Sequence, residues 1–548
     1  MARGAAFAGG GARLRRVLRD LAAGGAPLVS ATAGGKTSSK AAAPGGPRRP
    51  VKLAVLGGSI SWGSAVSGGV DDWFTLVTAR LRDAFPNATV VGRNGCVPAT
   101  PSSFMNMCLE QYLDDDVDLV FLEYATNDGW DITNDARKWV AAGGGVCVRT
   151  YERLLRKVMG RPRSPAVVLV QLPTVGQAFG EGNPARGGFA RTVEDVYGAF
   201  AAYYDTPYIS FRNAIWRLAA HHQFRMNFTD YYGDNYDFIH PLVTGHRAIA
   251  DLVLYSLQRF AVGLALSPWS DWDAQEAALP LPDPMFEGNF EERNRLCANG
   301  EAFASAVSSH DGWELVNEGD DLKQKWGFVS RDPGAELVIE LNTTRQAQPE
   351  RPTINVQLAY LKSYAGMGRA EVACGNGCGC GRSEVDAHHG LHQSTIYLMR
   401  LEPTQAPRCQ IRVRVLEATS SPDAGHKFKV TGVMANEFVG NGTDDAEGAL
   451  NNEEWLGVIN KAVNATITTD KIRRAPKPPS RPNFAPVTAE LTEERKPGGG
   501  AAPHLHHRPH QHHHFAPSAA AGPTLPPGGD AGAAAARRQQ TEAGGDDA

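Results

Sequence analysis

Long apolar runs are missing from this chain of 548 residues. None approaches the ~18–20 residues that a bilayer crossing needs, so no transmembrane segment is expected. Charge of one sign is missing too. The 55 basic and 59 acidic side chains leave a net charge of −4, and no basic stripe carries interleaved aromatics, which excludes a nucleic-acid binder. Cysteine is sparse, with eight residues: Cys96, Cys108, Cys147, Cys297, Cys374, Cys378, Cys380 and Cys409. The spacing of Cys374, Cys378 and Cys380 fits no common zinc pattern, so disulfides are the preferred reading over metal ligands or free thiols. The first 50 residues hold a single acid, Asp20, and no apolar core of secretory-signal type. They read as a disordered or cleaved leader. Asn-x-Ser/Thr sequons begin at Asn87, Asn227, Asn342, Asn441 and Asn464. With the disulfides they favour the secretory pathway or the extracellular space; organelle import through the basic leader is the alternative.

What is present divides the chain into two folded regions. Between residues 51 and 266 strands and helices alternate. Apolar runs at 51–56, 89–92, 117–124, 166–172 and 208–209 read as strands, and helices are expected over 73–85, 151–159, 191–204 and 244–264. Asp71 and Asp72 stand where a helix cap belongs. Such alternation implies a parallel sheet covered on both faces. Residues 267–299 show no clear period and read as a linker. From 300 to 437 short alternating runs separated by turn residues, at 334–341, 353–360, 395–401, 411–416 and 427–433, indicate a β-sandwich. Residues 438–548 turn to Gly, Ala, Pro and a histidine tract (His504 to His514) and read as a disordered tail.

The chemistry concentrates at four strand ends or helix entrances. Ser59 follows the first strand behind Gly57 and Gly58. Gly95 follows the second, Asn127-Asp128 the third, and Asp237 and His240 precede the last helix. On a doubly wound sheet these points converge on one edge. A serine hydroxyl needs a base to become a nucleophile, and histidine serves near neutral pH. Asp237, three residues before His240, suits the imidazole's other nitrogen. The backbone N–H groups of Ser59 and Gly95 and the amide of Asn127 are the candidate oxyanion donors, each typically worth roughly 3–4 kcal/mol in the transition state. His246 competes with His240 as base but has no aspartate three residues before it; neither have His221 and His222. No metal or organic cofactor is required.

These blocks resemble the SGNH (GDSL-type) hydrolases, whose usual Gly-Asp-Ser, Gly, Gly-x-Asn-Asp and Asp-x-x-His appear here as Gly57-Gly58-Ser59, Gly95, Ala125-Thr126-Asn127-Asp128 and Asp237-Phe238-Ile239-His240. The resemblance covers roughly residues 51–265. It implies a flavodoxin-like sheet and hydrolysis of acyl esters through an acyl-serine, with Ser59, His240 and Asp237 as the triad and Ser59, Gly95 and Asn127 as the oxyanion hole. Gly58 stands where the family has aspartate, which removes a carboxylate beside the nucleophile and lowers the expected activity. A Gly-x-Ser-x-Gly elbow is missing around Ser59, against the neighbouring α/β-hydrolase family. A Cys96–Cys108 disulfide beside Gly95 would stiffen the oxyanion loop; two buried thiols are the alternative. Among Cys374, Cys378, Cys380 and Cys409 three pairings are open. The appended sandwich suggests O-acetyl esters of a polysaccharide as substrate, by analogy with carbohydrate-active proteins. Trp62, Trp73 and Trp130 suit either sugar stacking or the core. Two further readings remain, an O-acyltransferase using the same site and a non-catalytic glycan-binding protein on this scaffold.

Overall fold

A computed structural model describes residues 1–27, 48–67, 69–98, 100–128, 146–173, 189, 192–220, 223–226, 228–232, 240–319, 324–389 and 394–437. The tail, Cys147's side chain, Trp130, His221, His222 and Asp237 lie outside the described residues.

Six strands form the first sheet. They are β1 (Ala5–Phe7), β2 (Val51–Gly57), β3 (Val90–Asn94), β4 (Leu119–Glu123), β5 (Ala166–Gln171) and β6 (Tyr208–Ser210), in the spatial order β1-β6-β5-β4-β2-β3. β2 to β6 are parallel. Taken alone they run in the flavodoxin-like order 2-1-3-4-5, whose switch point lies between β2 and β4. Successive side chains of a strand face opposite ways. Val51, Leu53, Val55, Phe121 and Val168 therefore meet helices α1 (Ala12–Ala22), α3 (Trp73–Ala84) and α10 (Val243–Leu266) on one face. Ala54, Leu56, Val120, Leu122 and Leu169 meet α4 (Ser102–Tyr112), α6 (Val146–Met159) and α7 (Glu194–Tyr203) on the other. Short helices α2 (Ser59–Trp62) and α5 (Ala125–Asp128) start directly after β2 and β4. Two more, α8 (Phe211–Ala220) and α9 (Thr229–Tyr232), complete this region. The cap expected ahead of α3 is Asp72, whose carboxylate accepts from the Thr75 N–H.

Residues 1–27, expected as part of a disordered or cleaved leader, hold a strand and a helix. β1 pairs antiparallel with β6 and extends the sheet by one strand. α1 buries Leu14, Val17, Leu18 and Leu21, an i, i+3, i+4, i+7 stripe. Its arginines reach carbonyls and a carboxylate: Arg16 donates to the Arg163 and Ser164 carbonyls, and Arg15 pairs with Asp273 at 2.7 Å. Among the described residues α10, with 24 residues, is the one helix long and apolar enough to cross a membrane, by length and composition only. Its Ile249, Leu252, Val253, Leu257 and Phe260 pack into the core of the α/β region.

The stretch expected as linker holds α11 (Asp271–Ala278) and strand β7 (Arg293–Asn299). α11 begins with a Ser270/Asp273 capping box. β7 pairs antiparallel with the last strand, Phe428–Glu437, and so belongs to the β-rich region. There, two antiparallel sheets pack face to face over a shared core of Leu337, Ile339, Val413, Val356, Leu358 and Val430. The outer face of one sheet is covered as well. Ala359, Leu398 and Met434 pack on Phe104 and Met107 of α4, so that helix is apolar towards both regions. Cys108 on α4 is disulfide-bonded to Cys297 on β7. The expected Cys96–Cys108 bridge is therefore absent, and Cys96 is a buried free thiol. Of the three open pairings, the chain adopts Cys374–Cys380 and Cys378–Cys409.

Candidate active site

Ser59 opens α2 at the carboxyl end of β2, and Asn127 lies in α5 at the end of the adjacent β4. Both flank the switch point, where open α/β sheets form their ligand crevice. The two glycines before Ser59 make room for different neighbours. A Cβ on Gly57 would stand 2.7 Å from the Glu123 carbonyl oxygen and 3.0 Å from its carboxyl Oε2. A Cβ on Gly58 would stand 1.9 Å from Oδ1 and 2.9 Å from Nδ2 of Asn127. The Asn127 amide thus occupies the space beside the Ser59 turn that a side chain at 58 would take.

His240 reaches the same point from just before α10. Its Nε2 lies 2.7 Å from the Ser59 hydroxyl oxygen, and both residues are partly exposed. That is hydrogen-bond distance between a nucleophile and its base. His246 cannot compete. It is fully buried, its Nδ1 accepts from the Trp73 N–H at 3.2 Å, and burial, then the neighbouring His240, hold its pKa down at about 4 despite Asp72. Trp73 is wholly buried in the core, which leaves it no sugar-facing surface.

The backbone of α2 carries one candidate oxyanion donor, the Ser59 N–H at the first position of a helical turn, where amides have no intrahelical acceptor. The N–H of Gly95 is committed elsewhere. It donates to the Val55 carbonyl at 2.9 Å, continuing the β2–β3 ladder one residue past Asn94. The donor role expected of Gly95 is corrected accordingly. Its neighbour Asn94 supports the Ser59 turn instead, donating from Nδ2 to the Ser61 carbonyl at 2.8 Å.

Two buried acids adjoin the site: Asp128, which the sequence reading named without a role, and Glu123, which it passed over. Asp128 accepts from the Ser102 N–H at 2.7 Å and from the Tyr197 hydroxyl at 2.6 Å, tying the Asn127 turn to α4 and α7. Burial raises its pKa to about 7, opposed by these hydrogen bonds. Glu123 accepts from the Ser61 hydroxyl at 2.9 Å, and burial raises its pKa to about 8 against the N–H groups of Gly58 and Ser61. The one sequence signal for Glu123 was a lone acid at the end of an otherwise apolar strand. Among the described residues the one close group of potential metal ligands is Cys374, Cys378 and Cys409, and these sulfurs are in disulfides.

Comparison with known proteins bears on this arrangement. No curated protein matches the chain in sequence. Among solved structures, a two-domain esterase (CEX) active on acetylated mannans superposes with a TM-score of 0.55 at 18% identity, covering 80% of this chain and 99% of that one. The same description co-crystallized with mannopentaose gives 0.52 at 20% identity, covering 78% and 96%. At these identities the likeness is one of fold, an α/β region followed by a β-rich one. Residues 55–248 match the model of the GDSL-like Lipase/Acylhydrolase family. The crevice that brings Ser59, Asn127 and His240 together therefore belongs to a GDSL-like lipase/acylhydrolase domain.

Proposed function

We propose that the protein is a serine esterase that removes acyl groups, O-acetyl groups above all, from a polysaccharide. The observation that carries the reading is the 2.7 Å approach of His240 Nε2 to Ser59 Oγ. Ser59 Oγ adds to the ester carbonyl carbon as its proton passes to His240 Nε2. The carbonyl oxygen becomes an oxyanion beside the Ser59 N–H and the Asn127 amide. The bond to the alcohol oxygen then breaks as His240 returns the proton to it. Water repeats the sequence on the acyl-serine and releases the acid. Asp237 is the carboxylate assigned to the other ring nitrogen of His240, where it fixes tautomer and orientation.

The polysaccharide ester is supported by the two-domain fold shared with an esterase described as active on acetylated mannans. Three disulfides support an oxidising compartment, the secretory pathway or the extracellular space. The test is labelling with a fluorophosphonate, with mass spectrometry to locate the adduct, followed by acetate release from acetylated mannan. The reading expects an adduct on Ser59 that is lost in His240→Ala, and acetate release that is lost in Ser59→Ala. A folded protein unlabelled at Ser59 would overturn it.

A further inference from the structure

Ser59 sits on a turn whose own sequence supplies no carboxylate: Gly57, Gly58, Ile60 and Ser61 surround it. The carboxyl group at this turn comes from the neighbouring strand. Glu123 ends β4 in register with Gly57 of β2, and it is completely buried. Its Oε2 accepts from the Ser61 hydroxyl at 2.9 Å. Ser61 is in turn held by the Trp73 indole, which donates to its hydroxyl at 3.0 Å, and by Asn94 on its carbonyl. Ser61, two residues after the proposed nucleophile, is thus held by this carboxyl group, and a side chain at Gly57 would meet both the carbonyl and the carboxyl of Glu123.

We propose that Glu123 is a positioning residue for the nucleophile: from strand β4 its carboxyl group holds the turn that aims Ser59 Oγ at His240 and the Ser59 N–H at the oxyanion. This rests on the esterase reading of Ser59. The group works as a neutral acid. Its Oε1 is buried with no partner among the described residues, which an ionised carboxylate tolerates poorly. The titratable groups that face it are Asp128, Cys96, Tyr124, Tyr151 and Tyr232, none of them a cation. Ionisation, centred at about 8, adds a negative charge at the turn that carries Ser59, which repels a developing oxyanion, so the rate falls there.

The experiment compares wild type, Glu123→Ala and Glu123→Gln in the full chain. It reads the rate of fluorophosphonate labelling at Ser59, kcat and KM for p-nitrophenyl acetate, and the pH profile of kcat. Glu123→Ala is expected to slow labelling and lower kcat by about 100-fold with KM changed little, the size of effect that roughly 1 Å of misplacement produces. Glu123→Gln, the isostere of the neutral acid, is expected to restore most of the rate and to lose the fall above about pH 8. Labelling of Glu123→Ala at the wild-type rate, or a Glu123→Gln protein that keeps the alkaline fall, overturns the inference. Should the alanine variant not fold, the pH profile of Glu123→Gln decides alone. If wild type itself is unlabelled at Ser59, the esterase reading fails and this inference with it; a labelled wild type with an unaffected Glu123→Ala removes this inference only.

Discussion

The side-chain oxygen of Asn127 lies 1.9 Å from the point where a Cβ on residue 58 would sit. Residue 58 and the Asn127 amide, the proposed oxyanion donor, therefore compete for one space. Gly58 is the departure from the family's usual Gly-Asp-Ser block, and the sequence alone suggested that restoring aspartate would raise activity. The geometry argues the reverse. In Gly58→Asp the Asn127 amide, the far end of a flexible side chain, gives way at small cost to stability. Activity is then expected to fall by roughly 10²-fold, the effect of losing one oxyanion donor. Kinetics beside a melting curve check this; a Gly58→Asp protein with higher kcat would show that Asn127 is not the donor.

Asn127→Ala makes the complementary prediction. If the amide acts on the oxyanion alone, kcat drops by about 10²–10³-fold while KM for a small acyl ester hardly moves, since the ground-state ester makes little use of the donor. A rise in KM at constant kcat would instead assign Asn127 to substrate binding.

How much of this was legible in the sequence depended on what each residue does. That Ser59, Asn127 and His240 come together was legible because each stands at an element boundary, where a sheet of this type puts its ligands. Gly95 looked like a free amide because a sequence does not reveal that the ladder runs one residue past Asn94 to the Val55 carbonyl. Glu123 was hidden by its own strand, whose apolar neighbours make it read as core. The partner of Cys108 is 189 positions away, across two regions of the fold, and spacing cannot reveal it. In α1 the stripe Leu14, Val17, Leu18, Leu21 was present, but arginine and alanine dominated the composition and the segment read as a leader.

Stability against pH tests the buried acid separately from activity. The carboxyl of Glu123 has a folded-state pKa of about 8 against 4.5 for an ordinary glutamate. Between those values the folded state holds a proton that the unfolded state has released, so stability falls as pH rises through this window. Asp128, with a folded-state pKa of about 7, contributes in the same sense from 3.8 upward. Glu123→Gln removes the larger contribution, and its melting temperature is expected to fall less steeply than wild type's as pH rises from 5 towards 8. Parallel curves would mean that Glu123 ionises freely in the folded state.

The N-terminal segment is expected to be part of the folding unit. Leu18 is 3% exposed between the sheet and α10. Leu18→Ala should destabilise the protein by about 2–5 kcal/mol, the usual cost of a buried leucine cavity. Urea denaturation measures it. A change below about 0.5 kcal/mol, typical of surface substitutions, would mean that α1 does not dock.

The joint between the α/β and β-rich regions makes the last prediction. Glu292, 6% exposed, accepts from Arg153 at 2.8 Å and lies 3.3 Å from Lys157. Burial alone would raise its pKa, yet Lys157 and Arg153 hold it below the ordinary value. Glu292→Ala leaves these two cations buried and facing each other, a loss of about 3–5 kcal/mol. Breaking the nearby Cys108–Cys297 bridge with Cys297→Ser should cost about 2–4 kcal/mol. Both act between the same elements: the bridge joins α4 to β7, and Asn106 of α4 donates to Glu292. Once either is gone, the other has less to hold, so the double variant is expected to lose less than the sum of the two. A double-mutant cycle by chemical denaturation measures the difference, and strict additivity would show that the ion pairs and the disulfide hold separate parts of the joint.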